Sequence, residues 1–281
     1  MLRALAGFIA ISLSAGVCAQ LLEDQASPVV YGHHHINTIE PDAHKRFWVE
    51  GLGGEVKTIG TAARELIAFP NVLIFITESE PTGGTRGSVV NHVGFFTRDI
   101  LSDVSRLQAM GYNMITREEL PDSYTVENGI GRRDGGNVIA YVQGPDDTKV
   151  ELIENKTIDQ TITLHHIHWA SDHGEAMQQW YAEHFGGIVG SRIGQPAIDL
   201  PGVNLTFGPT TVPVAATRGR SLDHIGFEVD NLEALCRELE ASGITLDRGY
   251  TEVPSLGIAV AFLTDPWGTY IELTEGLDAV R

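Results

Sequence analysis

Apolar positions recur along the chain with two periods, and the two alternate in a fixed order. Short apolar runs, such as Val72-Leu73-Ile74-Phe75-Ile76, or runs that alternate around a polar residue, such as Val150-Glu151-Leu152 and Ile271-Glu272-Leu273, have the period of a strand. Between them lie stretches with helical spacing: Asp42 to Leu52, Glu175 to Phe185, and Leu232 to Glu240, where Leu232, Leu235 and Leu239 share one face. Gly243 closes the last of these, as Gly111 closes its counterpart. The unit is a strand, a helix and three strands (βαβββ), used four times. Strands outnumber helices and do not alternate singly with them, so the predicted class is α+β.

The four units are two copies of a pair. Phe47-Trp48 recurs as Trp180-Tyr181, and Asn91-His92-Val93-Gly94-Phe95 recurs as Asp223-His224-Ile225-Gly226-Phe227. Thr85-Arg86-Gly87 recurs as Thr217-Arg218-Gly219, and Val150-Glu151-Leu152 as Ile271-Glu272-Leu273. The offset shrinks between the last two matches. An insertion therefore lies in the first copy, within Glu118 to Gly136, where Gly, Asp and Glu read as a longer loop. The expected domains are residues 29–156 and 160–281.

The first twenty residues are set apart. Arg3 precedes a short apolar stretch, and Val17-Cys18-Ala19 closes it in the manner of a cleavage site, so residues 1–19 read as a signal peptide. A lipid anchor on Cys18 is disfavoured by the bulky Val17. Cleavage after Ala19 leaves Cys236 as the one cysteine, without an internal disulfide. The expected location is periplasmic or secreted. A net charge of −18 argues against nucleic acid and anionic lipid as partners, because neutralising phosphate needs clustered Lys and Arg. A small molecule remains as the partner, with an oligomer left open and no membrane association beyond export.

Each copy offers two histidines and a glutamate at matched places: His33, His92 and Glu151, then His166, His224 and Glu272. Both glutamates sit between apolar neighbours on a strand, so they face away from those neighbours' core. A buried carboxylate there costs several kcal/mol unless paired or metal-bound. Two imidazoles and a carboxylate suit Fe, Mn, Ni or Zn and leave positions open for substrate. Two histidine tracts, His33-His34-His35 and His165-His166-His168, leave the binding member of each open, because His35 shares a face with His33, and His168 with His166. His35 and His168 are then candidates to meet substrate. So are Arg86 and Arg218, each six residues before its second histidine. Arg132 and Arg133 in the inserted stretch, and Glu228 on the face of His224, are further polar candidates.

These motifs, above all Asp223-His224-Ile225-Gly226-Phe227 and Asp265-Pro266-Trp267-Gly268-Thr269-Tyr270-Ile271-Glu272-Leu273, resemble the vicinal oxygen chelate superfamily of glyoxalase I, extradiol dioxygenases and bleomycin-resistance proteins. The resemblance implies four βαβββ modules forming two half-open barrels. It also implies a divalent metal held by His33, His92 and Glu151 and by His166, His224 and Glu272. Because each copy holds a full set, each is expected to close its own barrel. The chain departs from glyoxalase I in having no carboxylate within Val72 to Ile76 or Val203 to Phe207. It departs from the extradiol pattern in having Ala261-Phe262-Leu263-Thr264, without Tyr, before Asp265. The expected function is a metal-dependent lyase or isomerase acting on a small oxygen-chelating substrate. An Fe(II) dioxygenase and a ligand-sequestering protein are the alternatives.

Overall fold

The structure is a computed structural model that describes residues 27–277 and 280. The leader read in residues 1–19 lies outside them. The first module comprises β1 (Val29–Thr38), α1 (Pro41–Lys45), which continues as a π turn over Arg46–Gly51, β2 (Glu55–Ile59), β3 (Arg64–Phe69) and β4 (Val72–Glu78). The second comprises β5 (Val90–Thr97), α2 (Ile100–Ala109), β6 (Asn113–Met114), α3 (Thr116–Glu119), β7 (Thr125–Glu127), β8 (Ile130–Arg132), β9 (Ile139–Gln143) and β10 (Lys149–Glu154). The third comprises β11 (Ile162–Ala170), α4 (Gly174–Phe185), β12 (Ile188–Arg192), β13 (Gln195–Leu200) and β14 (Val203–Gly208). The fourth comprises β15 (Leu222–Val229), α5 (Leu232–Ala241), β16 (Leu246–Val253), β17 (Ile258–Thr264) and β18 (Tyr270–Glu275). Among the described residues no helix is long and apolar enough to cross a membrane.

The expectation that each copy closes its own barrel is overturned. One curved sheet runs β16-β17-β18-β15-β1-β4-β3-β2, joining the first module to the fourth. The other runs β12-β13-β14-β11-β5-β10-β9-β8-β7, joining the third to the second. The seams are antiparallel: β1 on β15 and β11 on β5. The reason lies in the connectors. Residues 79–89 and 209–221 each cross from one sheet to the other, and they run side by side. Thr82 N–H donates to Gly219 O (2.8 Å), Ser221 N–H to Gly83 O (2.8 Å) and Val89 N–H to Ala215 O (2.9 Å). The repeat cannot reveal this, because matched spacing is equally compatible with pairing inside a copy and between copies.

The inserted stretch is not a loop. It forms α3 and the β7–β8 hairpin, which extend the edge of the second sheet. Asn128 and Gly129 at its tip have φ of 50° and 79°, the handedness that a two-residue hairpin demands. That Asn-Gly pair was the available signal.

Strand alternation divides the interior. Val72 and Ile74 of β4, Ile67 of β3, and Ile271 and Leu273 of β18 face a core shared with the helices. Trp48, Phe95, Trp169, Tyr181 and Phe207 are among its largest buried side chains. In α4, Met177, Tyr181 and Phe185 follow helical spacing into this core. In the first module Phe47, Trp48 and Gly51 are all buried, and the chain accommodates them with the wider π turn where the pattern predicts a plain helix. The opposite strand faces line the two cups. Leu66, Ala68, Leu73, Phe75, Ile258 and Val260 form a separate cluster in the first. The first cup's two edge hairpins touch, Thr61 N–H donating to Ser255 O at 2.9 Å.

Candidate metal centres

Six sequence-predicted ligands meet in two groups of three, recombined across the copies. In the first cup His33 of β1, His224 of β15 and Glu272 of β18 converge. His33 Nε2 lies 2.9 Å and His224 Nε2 2.8 Å from the same Glu272 Oε2. In the second, His166 of β11 and His92 of β5 each place Nε2 2.9 Å from Glu151 Oε2 of β10. The two nitrogens there are 3.3 Å apart. All six side chains are buried. His168 adds a further nitrogen beside His92 and His166, with its ring stacked 4.6 Å from that of His92.

The backbone is shaped for these rings. A Cβ on Gly226 would lie 2.0 Å from His33 Cε1, and one on Gly94 would lie 1.9 Å from His166 Cε1. The His-x-Gly spacing in His224-Ile225-Gly226 and His92-Val93-Gly94 thus serves the histidine across the seam. Each seam shifts register at that point, between Tyr31 and His33 and between Leu164 and His166.

The centres differ behind the second histidine. His224 Nδ1 faces the carboxylate Asp223 Oδ1 at 2.6 Å, whereas His92 Nδ1 faces the amide Asn91 Oδ1 at 2.9 Å. Donation from Nδ1–H in either case leaves Nε2 as the nitrogen aimed at Glu272 or Glu151. Burial pulls the His224 imidazole down, but its hydrogen bonds to Asp223 and Glu272 and their charges together hold it above the usual histidine value. Burial lowers His92, only partly offset by Glu151, and lowers His166 to about 4. Burial opposes the charge of Glu272, yet His224 and His33 hold it well below the usual carboxylate range; His166 and His92 do the same for Glu151. An anionic glutamate between two imidazole nitrogens, in each centre, forms a donor set suited to a divalent cation.

The histidine tracts divide by face. His33 points to the centre, while His34 turns away, its Nδ1 2.5 Å from the Tyr31 hydroxyl. His35 bonds Thr77 Oγ1 at 2.6 Å and packs 4.4 Å from the His224 ring. A cavity of about 230 Å³ opens over the first centre, with His33, His35, His224 and Glu272 in its wall. Its arginines are Arg64 and Arg248. Arg86, expected to hold substrate, instead pairs with Asp147 at 2.8 Å. Arg218 lies 4.4 Å over the Tyr270 ring, which in turn packs 5.4 Å from that of His224. Arg133 covers Tyr124. Glu228 accepts from Thr274 Oγ1 and from the Gly276 and Leu277 amides, and so anchors the end of β18. The phase of β3 was the missed signal for Arg64: it alternates with Leu66 and Ala68, which face the cup.

Residues 163–273 match the model of the Glyoxalase/Bleomycin resistance protein/Dioxygenase superfamily. No curated protein matches the chain in sequence. Among solved structures, glyoxalase I from Zea mays aligns with a TM-score of 0.67 at 15% identity, over 91% of this chain and 95% of that one. A candidate dioxygenase from Bacillus subtilis aligns with a TM-score of 0.60 at 11% identity, over 89% and 85%. The resemblance to the vicinal oxygen chelate superfamily and the α+β fold of four modules in two half-open barrels are borne out.

Proposed function

We infer that the protein is an exported, divalent-metal-dependent enzyme of the vicinal oxygen chelate type, a lyase or isomerase acting on a small molecule with two neighbouring oxygens. The observation that carries this reading is the convergence of His33, His224 and Glu272 in the wall of a cavity. Phe75 and Thr206 stand in the stretches where glyoxalase I-like proteins carry a further carboxylate, so each centre offers no ligand from that strand. A bound divalent ion would polarise the substrate oxygens and stabilise the negative charge that develops on them.

The chain's own residues supply the rest. Asp223 orients His224 and fixes its tautomer. His35 lines the cavity, and burial keeps its pKa well below the usual value, so it faces the substrate as a neutral imidazole. Thr77 holds the ring in place. The apolar strands around the cavity restrict water.

The test is elemental analysis of the purified protein followed by equilibrium metal titration. Two ions per chain, of nickel, zinc or manganese, is the expected result. Iron would favour oxygenation, and a protein that binds no divalent metal would favour ligand sequestration and overturn the reading.

A further inference from the structure

The cavity over the first centre is apolar on one side and cationic on the other. Val253, Leu256, Ile258, Val260 and Phe262 form the apolar side. Arg64 lies opposite, on β3, with its guanidinium 5.3 Å over the Phe75 ring and one Nη2–H donated to Thr77 Oγ1 at 3.3 Å. Among the described residues no carboxylate lies within ion-pair distance of Arg64, although 37 acidic residues are present in the chain. Arg64 is half-buried, whereas Arg248, at the mouth, is exposed and bonds Thr251. A partly desolvated guanidinium with most of its donors uncommitted favours an anion with planar oxygens. The second centre is built differently: sheet register places Gln195 where Arg64 stands and Thr206 where Phe75 stands, and its nearby arginine, Arg192, comes from β12 and bonds Thr206 Oγ1 at 3.4 Å.

We propose that this cavity takes a small anionic molecule with an apolar body, and that Arg64 binds its negatively charged group. The proposal rests on the reading of this cavity as the substrate site. At about 230 Å³ the cavity falls below the roughly 300–1,000 Å³ of pockets for drug-sized ligands, so its occupant is a short-chain acid and not a peptide conjugate. The ligand's oxygens face His33, His224 and Glu272, its hydrocarbon lies along Ile258 and Val260, and its charge meets Arg64.

The experiment titrates the protein as purified with hexanoate and with hexanamide, which share a chain and differ in charge, and repeats both with Arg64→Gln and Arg64→Lys. Wild type is expected to bind hexanoate at least about tenfold more tightly than hexanamide, since a charge-assisted hydrogen bond is worth that much. Arg64→Gln is expected to remove the preference and Arg64→Lys to keep part of it, with circular dichroism confirming that both fold. Equal binding of the two probes by wild type overturns the proposal. A preference that survives Arg64→Gln also overturns it, because the carboxylate would then be held by something else. Metal content, measured on the same samples, separates the two readings. A preference lost in Arg64→Gln from a protein without metal supports the anion pocket and overturns the metal-enzyme reading alone.

Discussion

Each cup brings two histidines and a glutamate together, and almost everything around them differs. Around the first centre stand Asp223, Phe75, Phe262, Tyr270 and Arg64. The residues at matching positions around the second are Asn91, Thr206, Tyr141, Lys149 and Gln195. Lys149 is itself buried and pairs with Glu119 of the inserted α3 at 2.7 Å, so the insertion reaches to within two residues of Glu151. The ligand set is constrained by the fold, because each glycine at a seam leaves room for one particular imidazole. The walls carry no such constraint. The two cups therefore keep the same donor set while surrounding it with a mainly apolar wall in one case and a more polar one, with Lys149 and Arg192 nearby, in the other.

The largest expected effect tests whether each centre is shared between copies. Glu272→Ala should weaken metal binding at the first centre by more than about a hundredfold, since changing only a hydrogen-bond partner behind a ligand already costs about 10–100-fold, and should leave the second centre intact. His33→Ala should add little to Glu272→Ala, whereas His33→Ala and Glu151→Ala should add fully, because contacting residues couple and distant ones do not. Metal titration of the single and double variants reads this directly. Coupling between His33 and Glu151 would restore the pairing expected from the repeat.

Next in size are the seam glycines. Gly226→Ala and Gly94→Ala each drive a methyl into a buried imidazole. Each should cost about 1–3 kcal/mol of stability, the usual cost of overpacking, and each should displace its own ligand, His33 or His166. Thermal denaturation with and without metal would show it. If one variant is tolerated and the other is not, the symmetry of the two centres fails at its structural root.

A smaller effect concerns the second histidine's partner. Asp223→Asn gives the first centre the arrangement of the second, and Asn91→Asp does the reverse. Metal affinity should fall about 10–100-fold in Asp223→Asn and rise in Asn91→Asp, measured by competition with a chromophoric chelator. No change in either would mean that the carboxylate behind His224 does not tune the centre.

Much of this was legible in the chain. The four modules, their helices and the six ligands follow from alternation and repetition, because strand polarity and helix spacing are local properties. Pairing between modules is not local. His33 is nearer in sequence to His92 than to His224, and His166 nearer to His224 than to His92, so proximity points to the wrong partner and the crossed connectors near Gly83 and Gly219 decide. Arg64 was missed because it has no repeated counterpart: Gln195 occupies its place. Arg86 and Arg218 recur and so drew notice, yet Arg86 serves a turn through Asp147, and Arg218 packs on Tyr270. Repetition marks what the two copies share, the fold and two histidines with a glutamate. Where the centres differ, the sequence signal was a mismatch between copies.

The metal-free cups should respond differently to mild acid. In the first, burial lowers His33, His34 and His35, with His34 brought to about 3, while His224 is raised. In the second, burial lowers His92, His165, His166 and His168, with His165 brought to about 3 and His166 to about 4. A histidine lowered by folding binds its proton more readily when unfolded, so its contribution is present above the unfolded value near 6.5 and is lost as pH falls toward the folded value. A raised histidine does the opposite: its contribution is full below 6.5 and is lost as pH rises through the folded value. Each lowered histidine therefore removes about 1.4 kcal/mol per pH unit below 6.5. The contribution of His224 is already full below 6.5 and adds no slope there, so three lowered histidines set the fall in the first cup and four in the second. Between pH 6.5 and 5 the second cup should open first, with faster amide exchange in β11 and β14 than in β1 and β4. Metal should suppress the difference, because bound ligands no longer exchange protons freely. Equal exchange in the two sheets of the metal-free protein would show that the larger number of lowered histidines in the second cup does not set its response to acid.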